Sequence, residues 1–234
     1  MVRAYLFLAA FIPLTFLLSV SAFVSTLFDA SGRLYAWHAR LWARLGLALS
    51  GVNVTLAGTE HLPEGPVIFM SNHQSNFDIF SLLAALPRQI HWIAKKELFE
   101  IPVFGPSMRR GGYIPLDRSD GRKALQSMDE AATTIRQGKS VVLFPEGTRT
   151  LDGNLLSFKR GGFILARKAA VPVIPVTING SGRINPANEI RLYSGNIHIT
   201  LHPPVVVPSE LRRSEAESWM METVRGQIES ALEH

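Results

Sequence analysis

The grouping with the most chemical potential is Ser71-Asn72-His73-Gln74-Ser75-Asn76-Phe77-Asp78, which follows an apolar run at 67–70 and opens a helical pattern. Of the 7 histidines, only His73 is followed five positions later by an acidic residue. On a regular helix that offset separates two side chains by about 140°. With Ser75 as N-cap, however, Asp78 falls at the third helical position and His73 lies in the preceding loop, which can fold back onto the carboxylate. A carboxylate on one imidazole nitrogen fixes the tautomer and leaves the other nitrogen as a proton acceptor. Ser75-x-x-Asp78 also fits a capping box, in which the carboxylate serves only the helix N-terminus. Spacing alone leaves both readings open.

Two further clusters carry charge next to glycine. An apolar run at 141–144 delivers Pro145-Glu146-Gly147-Thr148-Arg149-Thr150, where Glu146 and Arg149 are placed to orient a polar substrate; an ordinary Pro-x-Gly turn with solvated charges is the alternative. Just beyond, Ser157-Phe158-Lys159-Arg160-Gly161-Gly162 combines two cations, two glycines and a helix start, a composition suited to phosphate. Gly111-Gly112-Tyr113-Ile114-Pro115-Leu116-Asp117-Arg118 follows Lys95, Lys96, Arg109 and Arg110. Arg118 at the end of a short strand has the planar fork that grips phosphate, or else pairs with Asp117 or Asp120 at the surface.

A His–Asp pair needs a nucleophile. The chain has no cysteine and no Gly-x-Ser-x-Gly elbow; Asn179-Gly180-Ser181-Gly182 lacks the spacing. The nucleophile then belongs to the substrate: an alcohol, deprotonated by His73, attacking an activated acyl group such as a thioester without an acyl-enzyme. The cations beside the base suggest a phosphate on that alcohol. Lack of cysteine also removes thiolate zinc sites and disulfides, and no metal site is expected.

These residues need elements to position them. With 234 residues, 47% hydrophobic and 18% charged, the chain is not a disordered one. Mean hydropathy is +0.14 and the pI near 9.8 suits phosphate-bearing or anionic-membrane partners. Cations interleaved with exposed aromatics in a recognised nucleic-acid module are not found, so nucleic acid is not an expected partner. Short apolar strands at 52–56, 67–70, 90–94, 113–116, 141–144, 173–178 and 197–201 alternate with helical patterns at 77–85, 122–137, 160–168 and 210–232. That alternation predicts an α/β fold, a mostly parallel central sheet flanked by helices.

Residues 4–28 contain no charge, enough for a helix of about 37 Å, although Pro13 is expected to kink or break it. A removable signal, a spanning helix and a helix dipping into one leaflet all fit this stretch. At 33–49 the arginines Arg33, Arg40 and Arg44 form one stripe, with Leu34, Leu41, Trp42, Leu45 and Leu49 across from it. That pattern reads as a helix at the lipid interface, with packing on the domain as the plainer alternative. The expected organisation is a membrane-associated helical anchor over 1–50 and a catalytic domain over 51–234. Positive charges after the apolar stretch put the catalytic domain on the cytoplasmic side of the inner membrane.

Four blocks taken in order carry a family resemblance: Asn72-His73-x-x-x-x-Asp78, Gly112-Tyr113-Ile114-Pro115-Leu116-Asp117-Arg118, Phe144-Pro145-Glu146-Gly147-Thr148-Arg149 and Val171-Pro172-Val173-Ile174-Pro175-Val176. The chain resembles the glycerolipid acyltransferases, most of all the bacterial 1-acyl-sn-glycerol-3-phosphate acyltransferases, over about residues 50–205. The resemblance implies His73 as general base and Asp78 as its orienting partner, with Arg118 binding the lysophosphatidate phosphate. It further implies Glu146 and Gly147 on the glycerol backbone, and Lys159 and Lys96 as additional phosphate contacts. It implies no cofactor beyond an acyl-carrier-protein or coenzyme A thioester as co-substrate, with membrane lipid as the other partner. Pro115 departs from the large apolar residue common in the second block. Another lysolipid acceptor (a lyso-ornithine lipid or a lysophospholipid) and a non-catalytic membrane-binding module are the competing functions.

Overall fold

The computed structural model describes residues 1–117, 120–208 and 210–233, and the structural statements here concern those residues. A seven-stranded sheet forms from β1 (Val52–Ala57), β2 (Ile68–Ser71), β3 (Ile90–Lys95), β4 (Ile114–Leu116), β5 (Ser140–Leu143), β6 (Val173–Asn179) and β7 (Gly195–Leu201), in the order β1-β7-β6-β2-β5-β3-β4. All neighbours pair in parallel except β6 with β7, so β1 and β7 run against the other five. The expected α/β architecture is what forms. Strands β2, β5 and β6 are buried at every position, as continuous apolar runs without alternation require. Pro115 is tolerated because β4 is a three-residue edge strand.

The helices are α1 (Val2–Ser25), α2 (Arg33–Leu49), α3 (Phe77–Ala85), α4 (Phe104–Arg110), α5 (Gly121–Arg136), α6 (Arg160–Ala169), α7 (Ser181–Ile184) and α8 (Arg213–Ser230). From β2 the chain crosses through α3 to β3; from β5 it crosses through α6 in the opposite direction, to β6. Right-handed crossovers that leave in opposite directions put their helices on opposite faces. The two cores obey this: Phe69, Val142 and Ile174 pack with α1, α2 and α3, whereas Ile68, Met70 and Leu143 pack with α5, α6 and α8. The crevice left outside the carboxyl ends of β2 and β5 is where ligands collect in open α/β sheets.

Helix α1 runs unbroken through Pro13, which lies exposed on its outer face. Its inner face is a seam along the full length: Ala4, Phe11, Ala22 and Ser25 are buried, and Phe7 and Leu14 join the same core. Gly46 of α2 lets this seam close, because a Cβ there would stand 3.1 Å from both the Phe11 and Phe80 rings. The Trp42 indole N–H donates to Thr15 Oγ1 at 2.9 Å, and Arg3 donates to Ser50 O at 2.6 Å. The opposite face of α1 presents Leu6, Ile12, Phe16, Leu17, Val20 and Val24 to the outside.

Arg40 corrects the expected lipid-facing stripe. Its guanidinium donates to the carbonyls of Leu86 at 2.8 Å and of Leu83 and Arg88 at 3.4 Å, where α3 ends. Hydrogen bonds from a charged group stabilise by about 1.5–3 kcal/mol each, against about 1 kcal/mol for one cation near an anionic membrane surface. Arg40 therefore stays with the protein, and α2 is packed between α1 and α3, with Tyr35, His38, Ala43 and Leu47 buried.

Candidate active site

The loop after β2 is held from four directions. The Asn72 side-chain amide donates to Ile178 O and its oxygen accepts from Ile178 N–H, both at 2.8 Å, which extends the β2–β6 ladder by one rung. His73 N–H donates to Glu146 Oε1 at 2.8 Å, and Thr150 N–H donates to His73 O at 2.9 Å. The imidazole stacks on the Phe144 ring, with centroids 3.8 Å apart and planes at 6°. His73 Nδ1 then lies 2.8 Å from Asp78 Oδ2. The carboxylate is an acceptor, so Nδ1 carries the hydrogen and Nε2 is left to the cavity that His73 lines.

Asp78 resolves the two readings of the motif by doing both jobs with one oxygen. Oδ2 also accepts the backbone N–H groups of Gln74 at 2.8 Å and Ser75 at 2.9 Å. The helix covers the expected 77–85, but Asn76 rather than Ser75 is its N-cap, so Asp78 occupies its second position. The Ser75 hydroxyl receives the Phe77 N–H at 3.2 Å and donates to Asn185 O at 2.8 Å. Asp78 is fully buried, and its Oδ1 has no hydrogen-bond partner among the described residues.

Glu146, expected at the substrate, is buried behind the His73 loop. It is 1% exposed, and its two oxygens accept the backbone N–H groups of His73 and Leu156, each at 2.8 Å. Burial pushes its carboxyl above the usual value, a shift opposed by those two N–H groups. The residue ties the base loop to the segment that leads into Lys159. Each oxygen thus has a backbone partner, and Glu146 does not line the cavity beside His73.

The other members of the 145–150 turn do face the cavity. Gly147 has φ +73°, and the Lys159 side chain crosses it so closely that a Cβ would lie 3.0 Å from Nζ. Gly147, Thr148, Arg149 and Lys159 line the cavity beside His73. Lys96 does not: it pairs with Asp117 at 3.3 Å, and the lining residue is its neighbour Lys95, the last residue of β3. Among the described residues Lys95, Arg149 and Lys159 make no ion pair. Arg118 lies outside the described residues.

The cavity encloses about 660 Å³ and is largely apolar, with Trp92, Leu143, Met128 and Leu165 in its walls. Both early helices contribute: Leu18 and Ala22 from α1, and Tyr35, His38 and Trp42 from α2. Deep burial pushes the Tyr35 phenol up to about 12, although a hydrogen bond with Ser107 opposes the shift. Burial also raises Tyr113, whose ring meets Tyr35 edge-on at 5.5 Å. These wall residues, Asn72 and the Glu146 strut were not visible in spacing, because each acts through a partner distant in sequence.

The Acyltransferase family model matches residues 53–179. A 1-acyl-sn-glycerol-3-phosphate acyltransferase of Pseudomonas aeruginosa is 31% identical over 217 residues, 88% of this chain and 83% of that protein. A chloroplastic one from Arabidopsis thaliana, LPAT1, is 37% identical over 202 residues, 82% of this chain but only 56% of the relative's length. The crystal structure of the 1-acyl-sn-glycerophosphate (LPA) acyltransferase PlsC from Thermotoga maritima superposes with a TM-score of 0.80 at 26% identity, covering 98% of this chain and 96% of that one. With more than half of its length inside the matched region, the chain belongs to the Acyltransferase family.

Proposed function

We propose that the protein transfers a fatty acyl group from an acyl thioester to the sn-2 hydroxyl of 1-acyl-glycerol-3-phosphate, forming phosphatidate. The observation that carries this reading is the 2.8 Å His73–Asp78 contact beside a largely apolar cavity that His73 lines. His73 Nε2 takes the hydroxyl proton as the oxygen attacks the thioester carbonyl carbon. The C–S bond then breaks, and the thiolate leaves with the proton that His73 returns. Donors of the 147–149 turn beside His73 stabilise the oxyanion. No acyl-enzyme forms, and no cofactor is used beyond the thioester, carried by acyl-carrier protein or coenzyme A.

Lys95, Arg149 and Lys159 hold the substrate phosphate, with Arg118 added on the strength of the family resemblance. The acyl chain occupies the apolar part of the cavity. Residues 1–50 serve as the membrane anchor and 51–234 carry the catalysis. In this reading α1 lies along one leaflet with its outer face in lipid, the inner seam staying on the protein, and the domain sits on the cytoplasmic side. Helix α1 is long and apolar enough to cross a membrane; its seam favours the leaflet position.

The test is acyl transfer by the purified protein in lipid, with a panel of lysophosphatidate, lyso-ornithine lipid and lysophospholipid acceptors and both thioester donors. Lysophosphatidate should be the preferred acceptor, and His73→Ala should abolish transfer while lipid binding persists. Unchanged turnover in that variant overturns the mechanism, and preference for another acceptor overturns the substrate.

A further inference from the structure

The cavity wall opposite α3 is shared by two segments. One is α1, through Leu18, Ser19 and Ala22; the other follows β3 and supplies Leu98, Phe104 and Met108. They are fastened to each other: the Arg110 guanidinium lies 5.1 Å over the Phe23 ring, and α4 packs on α1. Within the second segment, the 3-10 helix Lys96–Glu100 and the turn after it hold two large apolar side chains outward, Leu98 at 39% exposure and Ile101 at 43%.

The backbone is forced to do this. Val103 has φ +65°, ψ −52°, and the Phe104 N–H closes onto Pro102 O at 2.7 Å. This is a γ-turn of the rare positive-φ form, strained for a β-branched residue. Gly105 holds the other side, since a Cβ there would be 2.2 Å from Phe99 O. The turn leaves Ile101 exposed while Phe104, three residues on, lines the cavity. The exposed charges of this stretch are Lys95, Lys96, Glu97 and Glu100, with Arg109 and Arg110 in α4, so cations outnumber carboxylates. Exposed apolar side chains beside an excess of cations are the pattern of an element seated at a bilayer interface, the cations level with lipid phosphates.

We propose that residues 98–103 are a second lipid-contacting element, inserted in the same leaflet as the outer face of α1. The inference rests on the membrane-bound reading above and extends it to a part of the α/β domain. Its occupant is a phospholipid surface because the tip continues an apolar face already assigned to lipid, across a shared cavity wall. Leu98 then touches both the bilayer and the cavity, putting the acceptor's acyl chain and the membrane chains at one level.

The chain contains no cysteine, so single sites can be labelled cleanly. An environment-sensitive fluorophore on Ile101→Cys is measured with vesicles of phosphatidylcholine and phosphatidylglycerol, beside Leu17→Cys on α1 and Asn154→Cys on an exposed loop. Positions 101 and 17 should brighten severalfold and be quenched by nitroxide lipids, while position 154 remains in water. Position 101 staying in water while 17 reports lipid overturns the proposal and spares the membrane reading. Both staying in water overturns both. A change at 101 produced only by soluble acyl-carrier protein overturns it in favour of a protein-docking surface. As a second arm, Ile101→Asp should lower turnover of vesicle-borne lysophosphatidate about tenfold and leave a short-chain, monomeric acceptor unaffected. Equal loss on both acceptors, or on neither, counts against the proposal.

Discussion

The base loop and the cationic rim stand side by side and are built on opposite plans. At His73 the backbone N–H, the backbone carbonyl, the ring face and Nδ1 each have an assigned partner, and the groups behind it, Asp78 and Glu146, are buried at 0% and 1% exposure. At the rim, Lys159 and Lys95 are exposed, Arg149 is half-buried, and among the described residues the three make no ion pair. A proton acceptor must be fixed before the substrate arrives, because reorganising it during the reaction would raise the barrier. A phosphate site needs charge that no carboxylate has already neutralised. Changes in the loop should therefore act on kcat, and changes at the rim on KM.

The largest expected effect is loss of the loop's terminal group. His73→Ala should lower kcat by roughly 10³-fold or more, and Asp78→Asn by about 10²–10³-fold, with lysophosphatidate KM nearly unchanged in steady-state assays. Glu146→Gln separates the two plans most directly. An amide keeps one acceptor and loses the other, so kcat should fall about 10–100-fold while KM holds; a rise in KM alone would mean that Glu146 touches substrate after all. At the rim, Lys159→Ala or Arg149→Ala should raise KM for lysophosphatidate about tenfold, with less effect on the thioester donor. Equal effects on both substrates would break the comparison from the other side.

The smallest effect concerns stability. Burial lowers His91 below its ordinary 6.5, a backbone hydrogen bond to Ser140 opposes this, and Lys139 lowers it further. His202 is likewise lowered by burial, with a smaller contribution from His61. Their unfolded forms bind protons first on acidification, so stability is present above the ordinary histidine value and is lost as pH falls below it. Thermal unfolding should show Tm falling by a few degrees below about pH 6.5, and His91→Gln with His202→Gln should flatten that slope.

The central strands were legible because β2, β5 and β6 are apolar at nearly every position, which only a doubly covered sheet explains. Helix α4 was not, since it carries Gly105 and Pro106 and owes its shape to packing on Phe99 and α1. The His73–Asp78 pair could be read from spacing because both residues lie within one loop and helix start. The spacing of the α2 arginines does not set Arg40 apart from the exposed Arg33 and Arg44, because the partners of Arg40 are carbonyls more than forty residues away. Lys95 and Lys96 are neighbours that the resemblance does not separate; β3 ends at Lys95, and it is Lys95 that lines the cavity. The tie that Glu146 makes is not legible in spacing, because its two backbone partners lie on separate segments.

Three consecutive residues of β6 connect parts of the molecule that have no other reason to communicate. Ile178 seats the Asn72 amide, while on either side of it Thr177 donates to Ile228 O and the Asn179 side chain bonds Ala231 and Glu233, each at 2.8–3.1 Å. The closing turn of α8 and the His73 loop are thus linked in series through a single strand. Loosening the end of α8 would therefore reach the His73 loop through Ile178 and Asn72 without touching a residue that lines the cavity.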